Sequence, residues 1–196
     1  MKIPATAFAV LLAASLPLSI HARVDDANYV RLSGIYADPG GGEIGDHLDG
    51  SVGVLFSVGR EWVLDFDRSA FQLEFETGWV KMDGDYDGDS GDLQDIPLLL
   101  TARYVWNLSD KWSIAAGPSV GLSYLRGKID GVGSDSDWVF TWGLGVLVSY
   151  AISDTLSVDA GYRYLWHDDA SFKGRKVKDI EGQVFQIGIR FSWPTL

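Results

Sequence analysis

Gln186-Ile187-Gly188-Ile189-Arg190-Phe191-Ser192-Trp193 ends three residues before the last residue of a 196-residue chain. Its odd-numbered side chains are large and apolar, and its even-numbered ones are polar, charged or glycine. A period of two belongs to a β-strand, whose successive side chains point to opposite faces. This strand has a greasy face and a wet face, with an arginine in the middle of the wet one.

The alternation returns seven times upstream, each time bounded by Gly/Asp/Ser clusters. Val30, Leu32 and Tyr36 oppose Arg31 and Ser33. Val52, Val54, Phe56, Val58 and Trp62 oppose Ser51, Gly53, Ser57 and Gly59. Phe71, Leu73, Phe75 and Trp79 oppose Gln72, Glu74, Glu76 and Gly78, and Ile96, Leu98, Leu100, Tyr104 and Trp106 oppose Thr101, Arg103 and Asn107. Two glycine-rich segments follow, running from Trp112 to Tyr124 and from Trp138 to Tyr150. In the seventh, Leu156, Val158, Ala160, Tyr162, Tyr164 and Trp166 oppose Ser157, Asp159, Gly161 and Arg163. Connections around 65–69, 107–111 and 152–155 are short, whereas those near 38–50, 83–95, 126–137 and 167–181 are long. Eight strands with tight turns at one rim and long loops at the other predict an all-β, eight-stranded antiparallel up-and-down transmembrane β-barrel.

Parity alone leaves open which face is outside, because a soluble eight-stranded ligand carrier shows the same alternation reversed. Two features favour apolar-out. The polar face is mostly Gly, Ser, Ala and Thr, which suits a narrow interior. Aromatic residues on the apolar face fall into two groups: Tyr36, Trp79, Tyr124, Trp138, Tyr164 and Trp166 toward the long loops, and Trp62, Phe71, Tyr104, Trp106, Trp112, Tyr150 and Trp193 toward the short turns. Rings at both headgroup levels are expected of a membrane barrel. Each segment has about the ten residues a tilted strand needs to cross, and closing the sheet, eighth strand to first, leaves no backbone group unpaired in lipid.

The chain start reads as a cleavable export signal over 1–22: Met1-Lys2, an apolar stretch from Ala5 to Ile20, and Ile20-His21-Ala22 at the cleavage position. The domain expected to follow is a barrel over 23–196. The chain carries 16 Lys and Arg against 27 Asp and Glu, a net charge of −11, and loss of Lys2 with the signal makes it −12. That acidity argues against nucleic acid as a partner. Cysteine is absent, which excludes disulfides and thiolate metal sites.

Gln186, Gly188, Phe191 and Trp193 together resemble the terminal insertion signal of bacterial outer-membrane barrels, with the departure that Pro194-Thr195-Leu196 follows the last aromatic residue. Asp95-Ile96-Pro97-Leu98-Leu99-Leu100 and Gly161-Tyr162-Arg163-Tyr164 look like strands of the same group. Over the whole exported chain the sequence is similar to the small eight-stranded barrels that include the OmpA transmembrane domain and the opacity-type, porin-like surface proteins. The resemblance implies the outer membrane of a Gram-negative cell, insertion by the barrel-assembly machinery, outer-membrane lipid and lipopolysaccharide as partners, an unidentified surface partner, and a monomer.

Arg31, Glu74, Glu76, Arg103, Asp159, Arg163 and Arg190 then project into a lumen otherwise lined by small residues. Isolated buried charges cost several kcal/mol, so pairing is expected, with Glu74–Arg103 and Asp159–Arg190 as couples on adjacent strands. The network is read as a plug; a narrow gated pore whose ion pairs exchange partners is the alternative. Porins with open lumens need about twice as many strands.

In the second long loop Asp83, Asp85, Asp87 and Asp89 are candidate ligands for a weakly held Ca2+ or other divalent cation, Gly88 sitting where a calcium loop turns. Gln94 stands at the twelfth position, where a bidentate Glu should close the site, so a solvated acidic loop without a resident cofactor is expected. The fourth loop carries Lys173, Arg175, Lys176 and Lys178, a basic run able to meet lipopolysaccharide phosphates. No catalytic residue is assigned. After export only His47 and His167 remain as imidazoles, and Asp168, Asp169 and Ser171 beside His167 lack the spacing of a lipid A deacylase. The expected function is non-enzymatic: membrane integrity, or surface binding through four long loops. A gated pore and a lipid A-modifying enzyme are the alternatives.

Overall fold

The computed structural model describes residues 26–39, 50–64, 68–86, 89–129, 133–172, 175–177 and 180–195. The proposed signal over 1–22, His47 and Asp87 lie outside them. Ten strands follow one another: β1 (Ala27–Pro39), β2 (Ser51–Val63), β3 (Ser69–Tyr86), β4 (Asp89–Asn107), β5 (Trp112–Ile129), β6 (Gly133–Ala151), β7 (Leu156–His167), β8 (Ala170–Phe172), β9 (Arg175–Val177) and β10 (Ile180–Pro194). β1–β7 and β10 close into an antiparallel barrel, while β8 and β9 form a separate hairpin. Closure runs along all of β1, from Ala27↔Pro194 to Pro39↔Gly182. The C-terminal segment is held as well, because Pro194 belongs to the ladder and Thr195 N–H donates to the Asp26 carbonyl at 3.0 Å.

The faces divide as the alternation requires. Ile187 and Ile189 are 66% and 57% exposed, whereas Arg190 between Ile189 and Phe191 is 5% exposed. Phe75, Leu100 and Val146 likewise face outward. An outer surface this apolar is unfavourable in water and favourable in hydrocarbon. Rings cluster at both ends of the belt. Trp62 lies 5.8 Å from Phe71 and Trp112 4.8 Å from Tyr150 at the short-turn end, while Tyr124 lies 5.2 Å from Trp138 and Trp142 stacks on Trp166 at 4.3 Å toward the other.

Two of the short turns share one device. In Leu108-Ser109-Asp110-Lys111 the Ser109 hydroxyl accepts from the N–H groups of Lys111 and Trp112; in Ile152-Ser153-Asp154-Thr155 the Ser153 hydroxyl accepts from Thr155 and Leu156. Serine here satisfies amides that the reversal removes from the ladder.

At the opposite end the expectation of four long loops needs correction. β3 and β4 stay paired through Tyr86↔Asp89, β5 and β6 through Ile129↔Gly133, and β4 and β5 through Gly91↔Ile129. Two of the expected loops are therefore one continuous four-stranded sheet standing beyond the barrel rim, and the connection after β7 contains the β8–β9 hairpin. The Gly/Asp/Ser composition suggested irregular chain, but apolar side chains at alternate positions outweigh it: Leu93, Leu125, Val139 and Ala170 pack together, with Met82 and Ile180 against them.

Candidate functional site: the lumen network

Strand parity delivers Arg31, Glu74, Glu76, Arg103, Asp159, Arg163 and Arg190 to the interior, all of them buried. Arg31 on β1 is the hub. Its Nη1 donates to Glu74 on β3 and its Nε to Asp159 Oδ2 on β7 at 2.6 Å, reaching across the lumen to strands that β1 does not pair with. Glu74 also accepts from Arg103 Nη1 at 2.9 Å, and Asp159 Oδ2 lies 3.8 Å from Arg190 Nε. Arg190 continues to Glu61 at 3.2 Å, and Glu61 accepts from Gln72 Nε2 at 2.5 Å. One chain of contacts thus links Arg103, Glu74, Arg31, Asp159, Arg190 and Glu61. A second group sits beside it: Arg163 Nη2 donates to Glu76 Oε2 at 2.7 Å and to Gln186 Oε1 at 2.5 Å.

Glu61 has no place in the sequence-based list, yet it shares the parity of Ser57 and Gly59 and is buried. With it, four arginines face four carboxylates, so this layer is neutral. Tyr29 is the other addition. Its ring lies 5.4 Å from the Arg31 guanidinium and 5.5 Å from that of Arg190, inside the cation–π range. The ring fits because Gly59 stands opposite it in the ladder; a Cβ there would come within 2.5 Å of the Tyr29 ring.

Small residues line much of the remaining lumen as expected, Ser57, Thr101, Ser119 and Ser149 among them, but larger aliphatic side chains enter it as well. Ala70, Val105, Ala115 and Leu147 close the short-turn side of the charged layer. Ile35, Ala37, Leu55, Val80, Leu99, Leu165 and Val184 close the other side, and the cluster around Leu93 and Leu125 lies further out. Aliphatic packing on both flanks removes bulk water from the ion pairs and strengthens their mutual attraction.

The other candidates separate. Gln186 points inward onto Arg163, and Gly188 packs so tightly on β1 that a Cβ would meet Ser33 Oγ at 2.3 Å; Phe191 and Trp193 point outward with ring centroids 6.1 Å apart. Asp83 is exposed and accepts from Lys81 Nζ at 2.7 Å, an interaction that raises the Lys81 ammonium above its usual range. Asp85 and Asp89 belong to the β3–β4 ladder, and their side chains lie outside what the structure describes, as do those of Lys173, Arg175, Lys176 and Lys178. Among the described residues no three His, Asp or Glu side chains gather as a metal-ligand set. His167 turns inward, with Nε2 3.6 Å from Asp95 Oδ2, rather than toward Asp168 or Asp169 as an exposed catalytic base would.

A closed antiparallel barrel with an apolar belt, two aromatic zones and a polar interior defines an integral outer-membrane barrel protein. The family model for the outer membrane protein beta-barrel domain matches residues 6–192, and the chain belongs to that family. Its place is the bacterial outer membrane. The fold is similar to that of neisserial surface protein A (22% identity, 84% of this chain and 97% of that one, TM-score 0.52). It is similar too to Ail of Yersinia pestis in complex with the heparin analogue sucrose octasulfate (13%, 86% and 98%, TM-score 0.54). A major outer membrane protein of Thermus thermophilus is a third (14%, 85% and 99%, TM-score 0.53). No curated protein sequence matches the chain.

Proposed function

We propose that this protein is a plugged, non-enzymatic barrel that supports membrane integrity or surface binding through the structures it raises beyond the outer rim. The observation that carries this reading is the charge-balanced layer of four arginines and four carboxylates set between apolar clusters. Among the described residues each arginine of this layer has a carboxylate partner, in keeping with the filled interior of eight strands. What remains available for function is the outside: the four-stranded sheet of β3–β6, the β8–β9 hairpin, and the lipid-facing wall. Lipid and lipopolysaccharide are the partners this wall meets, as a monomer inserted by the barrel-assembly machinery through its terminal Gln186, Gly188, Phe191 and Trp193.

Planar-bilayer recording tests the plug. The purified protein is expected to show no discrete conductance steps; steps that change when Arg103 or Glu74 is neutralised would overturn it. A gated pore keeps one observation in its favour, since the Tyr29 hydroxyl and Arg31 Nη2 are buried without a protein partner, and such groups are commonly met by internal water. Lipid A mass spectrometry of cells with and without the protein tests the absence of catalysis, with unchanged acylation as the expected result. Calcium titration followed by tryptophan fluorescence is expected to show only millimolar, salt-sensitive association near Asp83, Asp85, Asp87 and Asp89.

A further inference from the structure

The outer half of the lumen holds a group of polar atoms that the arginine layer does not use. Asp95 on β4, Ser123 on β5, Thr141 on β6 and His167 on β7 come from four consecutive strands. Asp95, Ser123 and Thr141 are buried, and the His167 side chain is 8% exposed. Asp95 Oδ1, Ser123 Oγ, Thr141 Oγ1 and both ring nitrogens of His167 have no hydrogen-bond partner among the described residues. The ladder keeps the four together. Thr141 stands directly opposite His167, while Ser123 stands opposite Pro97, two residues from Asp95, and opposite Val139, two residues from Thr141. Aliphatic side chains lie on either side, with Leu99 and Leu165 deeper in the lumen and Leu93, Leu125, Val139 and Ala170 toward the outer end.

A carboxylate taken out of water calls for a cation and for donors to its oxygens. Arg31, Arg103, Arg163 and Arg190 are paired with other carboxylates. The basic group beside Asp95 is His167, whose Nε2 lies 3.6 Å from Asp95 Oδ2. That gap is too long for a hydrogen bond. It is close to the gap between two ligands of one metal ion: with bonds of about 2.0–2.2 Å and a tetrahedral angle, donor atoms stand about 3.4 Å apart. A neutral imidazole beside a carboxylate suits zinc and its first-row neighbours, whereas calcium takes oxygen ligands throughout.

We propose that His167 Nε2 and Asp95 Oδ2 form a binding site for one divalent transition metal ion of the zinc class, with the Ser123 and Thr141 hydroxyls beside them to bind the ion or its water. The ion neutralises a buried carboxylate and ties β4 to β7, which are not ladder partners. It does so at the point where β7 leaves β6, since Thr141↔His167 is their outermost pair. Two strong protein ligands are fewer than the three or four usual for zinc, so micromolar affinity is expected. Ala170 of β8 packs in the outer cluster, and the ion therefore enters most readily while the strands close around it.

The test folds the full chain into detergent micelles in the presence of Co2+. One Co2+ per chain with a visible ligand-field band is expected, displaced by Zn2+, which binds such donors more tightly. His167→Gln should abolish the band and Asp95→Asn should weaken binding at least tenfold, while His47→Gln leaves both unchanged. Heat-modifiability on gels verifies that each variant is folded. In the unaltered protein the imidazole nitrogen resonances of His167 should shift on addition of Zn2+, a reading that needs no variant. A folded protein without the stoichiometric band, a band that survives His167→Gln, or unmoved His167 resonances would each overturn the proposal. Survival in that variant would assign the metal to the acidic stretch of Asp83, Asp85, Asp87 and Asp89 instead.

Discussion

The two faces of each barrel strand are built from the same backbone at the same spacing, yet they follow different rules. On the outer face Val54, Leu100, Val146 and Ile189 touch a solvent that is itself hydrocarbon, so the requirement is apolarity and little more. On the inner face each of the four lumen arginines has a carboxylate partner, and Arg31 has two, Glu74 and Asp159. Lipid accepts any apolar shape, while a buried ion pair accepts only its complement. Specificity in this protein therefore resides inside, and tolerance outside.

Removing the hub should break the inner face most severely. Arg31→Met leaves Glu74 and Asp159 sharing one cation fewer, and truncating one partner of a buried pair costs about 3–5 kcal/mol. Urea unfolding from lipid vesicles would measure it. A loss below about 1 kcal/mol would mean that the interior is hydrated well enough to screen its charges, which would move the lumen toward the pore reading.

The reciprocal experiment places the inner chemistry outside. Ile187→Arg puts a guanidinium on the lipid face at mid-strand, where the expected penalty is about 2–4 kcal/mol. Folding efficiency into vesicles is the simplest readout. The same substitution at Val52, near the outer rim, should cost less, since the penalty falls toward the interface.

A third test concerns shape rather than charge. Gly59→Ala drives a Cβ into the Tyr29 ring and to 2.8 Å from the Leu73 carbonyl oxygen. Overpacking of this kind costs about 1–3 kcal/mol, and a double-mutant cycle with Tyr29→Ala should recover the part due to the ring. Full additivity would show that Gly59 is needed for backbone approach alone.

Much of this comparison is readable in the alternation itself. Parity assigns Arg31, Glu74, Arg103 and Arg190 to one face before any coordinates, and adjacency in an up-and-down barrel suggests Glu74–Arg103 and Asp159–Arg190. The contacts of Arg31 escape that logic, because they cross the lumen between strands that are not neighbours and depend on the diameter of the closed barrel. Tyr29 and Glu61 share the parity of the wet face. They are easily passed over, the one because aromatic rings suggest a girdle and the other because it sits near a strand end. Asp95 and His167 lie on strands that do not pair, and nothing local in either segment brings them together. The extended sheet was hidden by composition: Asp83–Asp95 contains enough glycine and aspartate to suggest a loop, while Leu93, Leu125 and Val139 hold it as a ladder.

The smallest expected effect bears on whether the outer face is as undemanding as the comparison claims. Val54→Leu and Ile189→Val alter size without altering polarity, and in a lipid environment each should shift stability by less than about 0.5 kcal/mol, the usual range for surface exchanges. Inside a well-packed interface the same changes meet a fixed complementary surface and are felt more strongly. A loss above about 1 kcal/mol at Ile189, reproduced at its exposed neighbour Leu32 across the β1–β10 ladder, would show that this stretch of wall meets protein rather than lipid. The monomer would then give way to an oligomer packed through β1 and β10, and the outer face would have to be divided into a tolerant part and a specific one.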